Sequence, residues 1–251
     1  MIYGLYLSGQ GAQVQSARQD VIANNLANTS TNAFKRDLAT AQAHLPYDAQ
    51  QGRPTWLPGN LDNLPGGVTT GETVTDFSQG AMTKTSSKLD VAIHGKGFLQ
   101  VTDGKRKYLT RDGQLAINNK NELVTREHGF PVLSAGGSPI AGIEPEHPIE
   151  IHSDGAVTQG GNDLGRMAVI EPRRYADVSK FGKNLYTTTG TSKPAAHETE
   201  LKQGYLEASG IQPVAAITEM IESSRILEAN VNLIHTQDES LDRLLQSLPR
   251  K

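Results

Sequence analysis

Seven histidines, His44, His94, His128, His147, His152, His197 and His235, are the side chains whose chemistry would be easiest to use near neutral pH. None forms a His-x-x-x-His pair or stands at metal-binding distance in sequence from a carboxylate. His147 and His152 flank Pro148, so no single element puts them on one face. Gly95-Lys96-Gly97 lacks the rest of a phosphate-binding loop, and a tight turn that lets Phe98 begin a strand is expected there. Asn118-Asn119-Lys120-Asn121-Glu122 has oxygen ligands but neither the central glycine nor the distant acid of a calcium loop; it predicts a hairpin turn. No Gly-x-Ser-x-Gly elbow occurs. The absence of cysteine excludes disulfides, thiolate zinc sites and cysteine nucleophiles. Nothing selects a catalytic pair of carboxylates. The expectation is a protein that is not an enzyme, with no cofactor, no metal and no small-molecule substrate.

The elements follow from an uneven distribution of helix breakers. No Gly or Pro occurs from Ala12 to Leu45 or from Val214 to Leu248, while both are frequent between these blocks. This predicts an α+β chain with long terminal helices and a central antiparallel all-β domain. In the C-terminal block Met220, Leu227, Ile234, Leu241 and Leu248 recur every seven residues, and Ile217, Ser224, Val231, Asp238 and Leu245 form a second row beside them. Together the rows form a coiled-coil seam, interrupted by polar Ser224 and Asp238. A helix over the 35 residues from Val214 to Leu248 would run about 50 Å, and Pro213 stands where a missing N–H is tolerated. The N-terminal rows, Leu5, Ala12, Gln19 and Leu26 with Gly9, Ser16 and Ala23, are mostly small. They allow close approach but bury little area, so this helix is expected to pair with the C-terminal one. Asn28 is expected to stop it in a left-handed conformation. Thr29-Ser30-Thr31-Asn32 predicts a turn, Phe34 a return to apolar surroundings, and Lys35 to Leu45 a second short helical stretch.

Residues 46–80 hold four prolines and six glycines and are expected to form an extended connector carrying Trp56, the single tryptophan. Short β runs follow: Leu89–Ile93, Phe98–Val101, Lys107–Thr110, Gln114–Ile117, Leu123–Thr125, Pro131–Leu133, Ile149–His152, Ala156–Thr158, Arg166–Ile170 and Leu185–Thr188. The pattern predicts an antiparallel sandwich or open barrel. The formal net charge of −3 and pI near 6.2 give no electrostatic reason to bind nucleic acid or an anionic membrane. The basic runs Lys105-Arg106-Lys107 and Arg173-Arg174 are expected to be solvated. No stretch approaches the ~18 apolar residues of a membrane span, and no basic region precedes Ile2, Leu5 and Leu7, so no cleavable secretion signal is expected.

Three stretches together resemble the bacterial flagellar rod and hook family of axial proteins. The first is Ala23-Asn24-Asn25-Leu26-Ala27-Asn28 with Thr31-Asn32-Ala33-Phe34-Lys35. The second is Leu89-Asp90-Val91-Ala92-Ile93 with Gly95-Lys96-Gly97-Phe98, continuing through Tyr108-Leu109-Thr110-Arg111-Asp112-Gly113, Leu123-Val124-Thr125 and Gly129-Phe130-Pro131-Val132. The third is Gly204-Tyr205-Leu206-Glu207-Ala208-Ser209 and the helix after it. Length and motif mix are most similar to the rod proteins, proximal before distal. Ala33 and Gly210 depart from the family pattern, which usually has Gly and Asn there.

The resemblance implies export without a cleaved signal through the flagellar type III apparatus, and polymerisation into a hollow shaft across the periplasm. The implied partners are copies of itself and other rod and hook axial proteins. The implied assembly residues are Leu5, Ala12, Ala23, Asn24, Asn25, Leu26, Ala27, Asn28 and Phe34 at one end. At the other they are Ile217, Met220, Leu227, Val231, Ile234, Leu241, Leu245 and Leu248. The segments expected are 1–34 (assembly helix and signature), 35–84 (connector), 85–203 (β domain) and 204–251 (assembly helix). Terminal helices with so thin a seam should gain most of their order by packing on assembly. Two other classes make different demands. A coiled-coil β-domain surface or adhesin-like protein calls for a conventional secretion signal, and a β-domain hydrolase calls for a titratable cluster in a pocket.

Overall fold

The computed structural model describes residues 2–43, 66–144, 146–195 and 199–247. Trp56, most of the 46–80 connector, Leu45, Leu248, His44 and His197 lie outside the described residues. The chain divides into two compact units, each discontinuous in sequence. One comprises Met1–Ala27, Asp37–Asp76 and Gln212–Lys251; the other comprises Asn28–Arg36 and Phe77–Ile211. No helix among the described residues is long and apolar enough to cross a membrane.

In the first unit, α1 runs from Ile2 to Ala27. It passes through Gly4, Gly9 and Gly11, each costing about 1 kcal/mol of helix propensity relative to alanine, so α1 depends on what it packs against. That is α2, the 35-residue helix Pro213–Ser247. Its first turn closes where the Ala216 N–H donates to the Gln212 carbonyl (3.0 Å), and Pro213 has no N–H to waste there. The helices are antiparallel: Gly4 lies against Gln237, Gly11 against Asn230, and Gln15 against Ser223.

The same unit holds two short antiparallel pairs, β1 (Asp37–Leu38) with β4 (Val74–Thr75), and β2 (Ala41–Ala43) with β3 (Val68–Thr70). The helical stretch expected from Lys35 is therefore corrected to strand over these residues. Pairing with residues about thirty positions away outweighs the weak local preference of a short breaker-free segment. The Asn25 amide decides where β1 starts: Nδ2 donates to the Asp37 carbonyl (2.7 Å) and Oδ1 accepts the Asp37 N–H (3.0 Å).

The second unit is a β assembly. Its strands are β5 (Met82–Lys84), β6 (Val91–His94), β7 (Phe98–Thr102), β8 (Lys107–Thr110), β9 (Leu115–Ile117), β10 (Leu123–Thr125), β11 (Ile149–Ile151), β12 (Ala156–Gln159), β13 (Asn162–Arg166), β14 (Val169–Pro172), β15 (Val178–Lys180), β16 (Leu185–Thr188), β17 (Ser192–Pro194), β18 (Glu200–Gln203) and β19 (Tyr205–Glu207). The main sheet has the order β15-β16-β8-β7-β14-β17, and the described pairings are antiparallel throughout. The strands expected at Lys107–Thr110, Leu123–Thr125 and Leu185–Thr188 have those bounds. The run expected over Arg166–Ile170 is corrected to two strands, because the chain leaves the β12 partner at Arg166 and joins β7 at Val169.

Side-chain alternation puts both faces of β7 and β8 to use. Leu99, Val101 and Tyr108 join the larger core with Val91, Ile93 and Leu123. Phe98 and Leu109 point the other way, to Tyr186, Phe77 and Tyr175. Asn118–Glu122 is the expected hairpin turn, with Asn118 Oδ1 accepting the Lys120 and Glu122 N–H groups. Gly113 passes so close to β6 that a methyl group there would overlap the Val91 carbonyl.

Candidate functional site

In the second unit the three quoted motifs meet at one carboxylate. Glu207 Oε1 accepts from Lys35 Nζ (2.6 Å) and from the Gly80 N–H (2.7 Å); Oε2 accepts from Arg111 Nη1 (3.2 Å). The side chains of Lys35, Glu207 and Arg111 are 1%, 0% and 3% exposed. Two cations thus share one anion out of water, and carbonyls take up the surplus donors. Lys35 Nζ donates to the Ser78 carbonyl (2.6 Å), and Arg111 donates to the Gly97 (2.9 Å) and Gly95 (2.6 Å) carbonyls. Gly95 and Gly97, at φ +108° and +122°, shape the turn between β6 and β7 that presents these carbonyls. Gly95-Lys96-Gly97 is therefore a cation-facing turn built of backbone oxygens. Arg111 also lies over the Phe98 ring at 5.5 Å.

The signature segment is tied to the same place by its backbone. The Ala33 N–H donates to the Glu207 carbonyl (2.8 Å), and the Gly210 N–H to the Phe34 carbonyl (3.0 Å). Lys180 reaches across with Nζ on the Lys35 carbonyl (2.6 Å) and 4.1 Å above the Phe34 ring. Phe34 is 2% exposed.

The left-handed residue expected at Asn28 is found instead at Ala33, φ +54°. Asn28 closes a tight turn, its carbonyl accepting the Thr31 N–H (3.2 Å). An alanine held left-handed costs about 1–2 kcal/mol, which a glycine at this position would avoid. Ala33 is 1% exposed, so a β-branched side chain would meet both strain and crowding. Ala33→Val should cost the β unit about 3 kcal/mol, whereas Ala33→Gly should relieve the strain and stabilise it by up to about 1 kcal/mol, measured by urea denaturation.

A second buried polar group stands beside Arg111. Burial pushes the Asp112 carboxyl up to about 6, Glu127 adds to the rise, and the Gln114 N–H hydrogen bond opposes it. The Asn184 amide donates to both Asp112 and Glu127, each at 2.9 Å. Asp112 in the folded chain binds its proton more tightly than in the unfolded chain. Its contribution is therefore present below pH ~4 and lost as pH rises through ~6, a change of about 3 kcal/mol. Asp112→Asn should remove that slope, seen as a urea midpoint falling less between pH 4 and 6.5 than in the parent.

In the first unit the expected assembly residues fall into two sets. Met220, Leu227, Ile234 and Leu241 are half-buried. Ile217, Val231 and Leu245 are exposed at 47%, 39% and 66%. The second row that meets α1 is displaced by one residue, to Ser223, Asn230 and Gln237. On α1, Leu5, Ala12 and Leu26 are half-buried, Asn25 is buried, and Ala23, Asn24 and Ala27 are exposed. Asn28 is buried in the second unit. Lys35, Arg111 and Glu207 lie inside the quoted motifs but carried no separate role in the sequence analysis. The signal that would have found them is a lone charge amid strand-forming apolar residues.

Comparison with known proteins matches this arrangement in chain order. Residues 5–35 match the profile described as "Flagella basal body rod protein". Residues 92–159 match "Flagellar hook protein FlgE/F/G D1 domain", and residues 202–247 match "Flagellar basal body rod FlgEFG protein C-terminal". Each contributes one member of the buried triad. Paired terminal helices and a separate β unit, with these matches, define the class as flagellar axial proteins. The flagellar basal-body rod protein FlgF of Caulobacter vibrioides is 36% identical over 212 residues, covering 84% of this chain and 83% of that protein. FlgG of Buchnera aphidicola subsp. Schizaphis graminum is 34% identical over 98% of this chain and 100% of its own length, and FlgG of Bacillus subtilis is 29% identical over 98% of both. The chain belongs to the flagellar basal-body rod protein family.

Proposed function

We propose that this chain is a rod subunit that polymerises through its terminal helices, α1 and α2 packing as a coiled coil, into the hollow shaft that carries torque. Residues 1–34 and 204–251 are the assembly ends, 35–84 the connector and 85–203 the β domain between them. The partners are further copies and other rod and hook axial proteins. The chain reaches the periplasm-spanning shaft through the type III export apparatus without a cleaved signal. It has no enzymatic step, nucleic-acid partner or membrane insertion. The observation that carries this reading is the outer flank of α2: Ile217, Val231 and Leu245 are exposed along a helix whose other flank already meets α1. Apolar rows left open on a long helix are suited to other copies, and contacts that do not close on themselves generate a helical filament.

The test is deletion of the gene from the source bacterium, scoring swimming and imaging basal bodies by electron microscopy. Truncated or missing rods, restored by the parent gene, are expected. The point where the shaft stops tells proximal from distal rod. Full-length shafts and normal motility would overturn the reading.

A further inference from the structure

The flank of α2 turned to α1 is a poor choice for stability alone. Val231 was available one residue from Asn230, yet Ser223, Asn230 and Gln237 occupy the contact. Ser223 is fully buried, its Oγ donating to the Gln15 carbonyl (3.2 Å) and placed 3.0 Å from Gln15 Oε1. The Asn230 amide fills the space over Gly11, where an added methyl would stand 3.2 Å from it; the Gln237 amide fills the space over Gly4, at 3.0 Å. Gln237 Oε1 is buried with no hydrogen-bond partner among the described residues, which weakens the pair.

We propose that Ser223, Asn230 and Gln237 set the register in which the chain's own α1 and α2 pair. This rests on the assembly reading above and adds to it the residues that decide how the ends align. Aliphatic rows repeat every seven residues and pack nearly as well one heptad out of step. The polar row does not. A slip of one heptad in one direction carries Asn230 from Gly11 to Arg18, where a long side chain takes the place of the space. A slip in the other direction carries Ser223 away from Gln15 and Gln237 past the first turn of α1. Keeping polar groups on the inner flank also leaves the apolar flank for neighbouring copies, a division of partners of the kind polar seam positions enforce.

The chain has no cysteine, so engineered pairs report register cleanly. Gln15→Cys with Ser223→Cys reports the observed register. Ser8→Cys or Ile22→Cys with Ser223→Cys reports a slip of one heptad either way. Full-length chain from cells is oxidised and run without reductant, where an intrachain link keeps the mobility of one chain. With Asn230 and Gln237 in place, the reporter chain should give mainly the 15–223 link. Asn230→Leu with Gln237→Leu should lower that yield about threefold and raise the slipped links, while Asn230→Ser with Gln237→Asn keeps it. An unchanged 15–223 yield in the leucine variant, or equal loss in the polar variant, would overturn the proposal. The readout does not require rods, so a failure to assemble would count against the assembly reading alone.

Discussion

Glu207→Ala should lose about 3–5 kcal/mol, because it removes the carboxylate that Lys35 and Arg111 share out of water. A domain is stable by only about 5–15 kcal/mol, so much of the unit's margin would go. Three donors, Lys35 Nζ, Arg111 Nη1 and the Gly80 N–H, would lose an acceptor at once. Lys35→Met should cost markedly less. It removes the surplus cation, keeps the neutral pair of Arg111 with Glu207, and fills the space with a chain of similar length. Urea denaturation of the full chain, followed by the β circular dichroism signal, gives both values. If Lys35→Met costs as much as Glu207→Ala, packing and not charge balance holds the three motifs together.

The two flanks of α2 should separate helix pairing from assembly. Leu227→Asp or Ile234→Asp puts a carboxylate on the half-buried row of the paired helices and should cost that unit about 2–4 kcal/mol. The helical signal of the free chain should fall while the β signal is unchanged, and neither variant should restore swimming to a deletion strain. Ile217→Asp or Val231→Asp changes a side chain already in water and should alter the free chain by less than about 0.5 kcal/mol. These variants should nevertheless fail to build rods, since the outer row is the one offered to other copies. A Val231→Asp strain that swims normally would show that the outer row is not an interface. Normal rods from Leu227→Asp would show the same for the inner one.

Much of the fold was legible because its signals are local. The breaker-free C-terminal block became α2, and β8, β10 and β16 follow from short β-forming runs between turns. Local composition misled at Lys35–Leu45, because strand pairing with residues 68–75 depends on a partner the segment cannot announce. It also misplaced the left-handed residue. Asn28 has the side chain that favours that conformation, but the backbone turns at Ala33, where its N–H must reach the Glu207 carbonyl.

The sequence by itself determined the class of the chain, its helical ends, their heptad period and most strand positions of the β unit, since periods and breakers act over a few residues. Only the tertiary structure decided which flank of α2 meets α1, because a seven-residue period sets the spacing of rows and not which row a partner covers. It alone brought Lys35 and Arg111 to Glu207, across 172 and 96 residues of chain. Whether a charge is buried and paired depends on what remote segments place around it, and no local pattern carries that information.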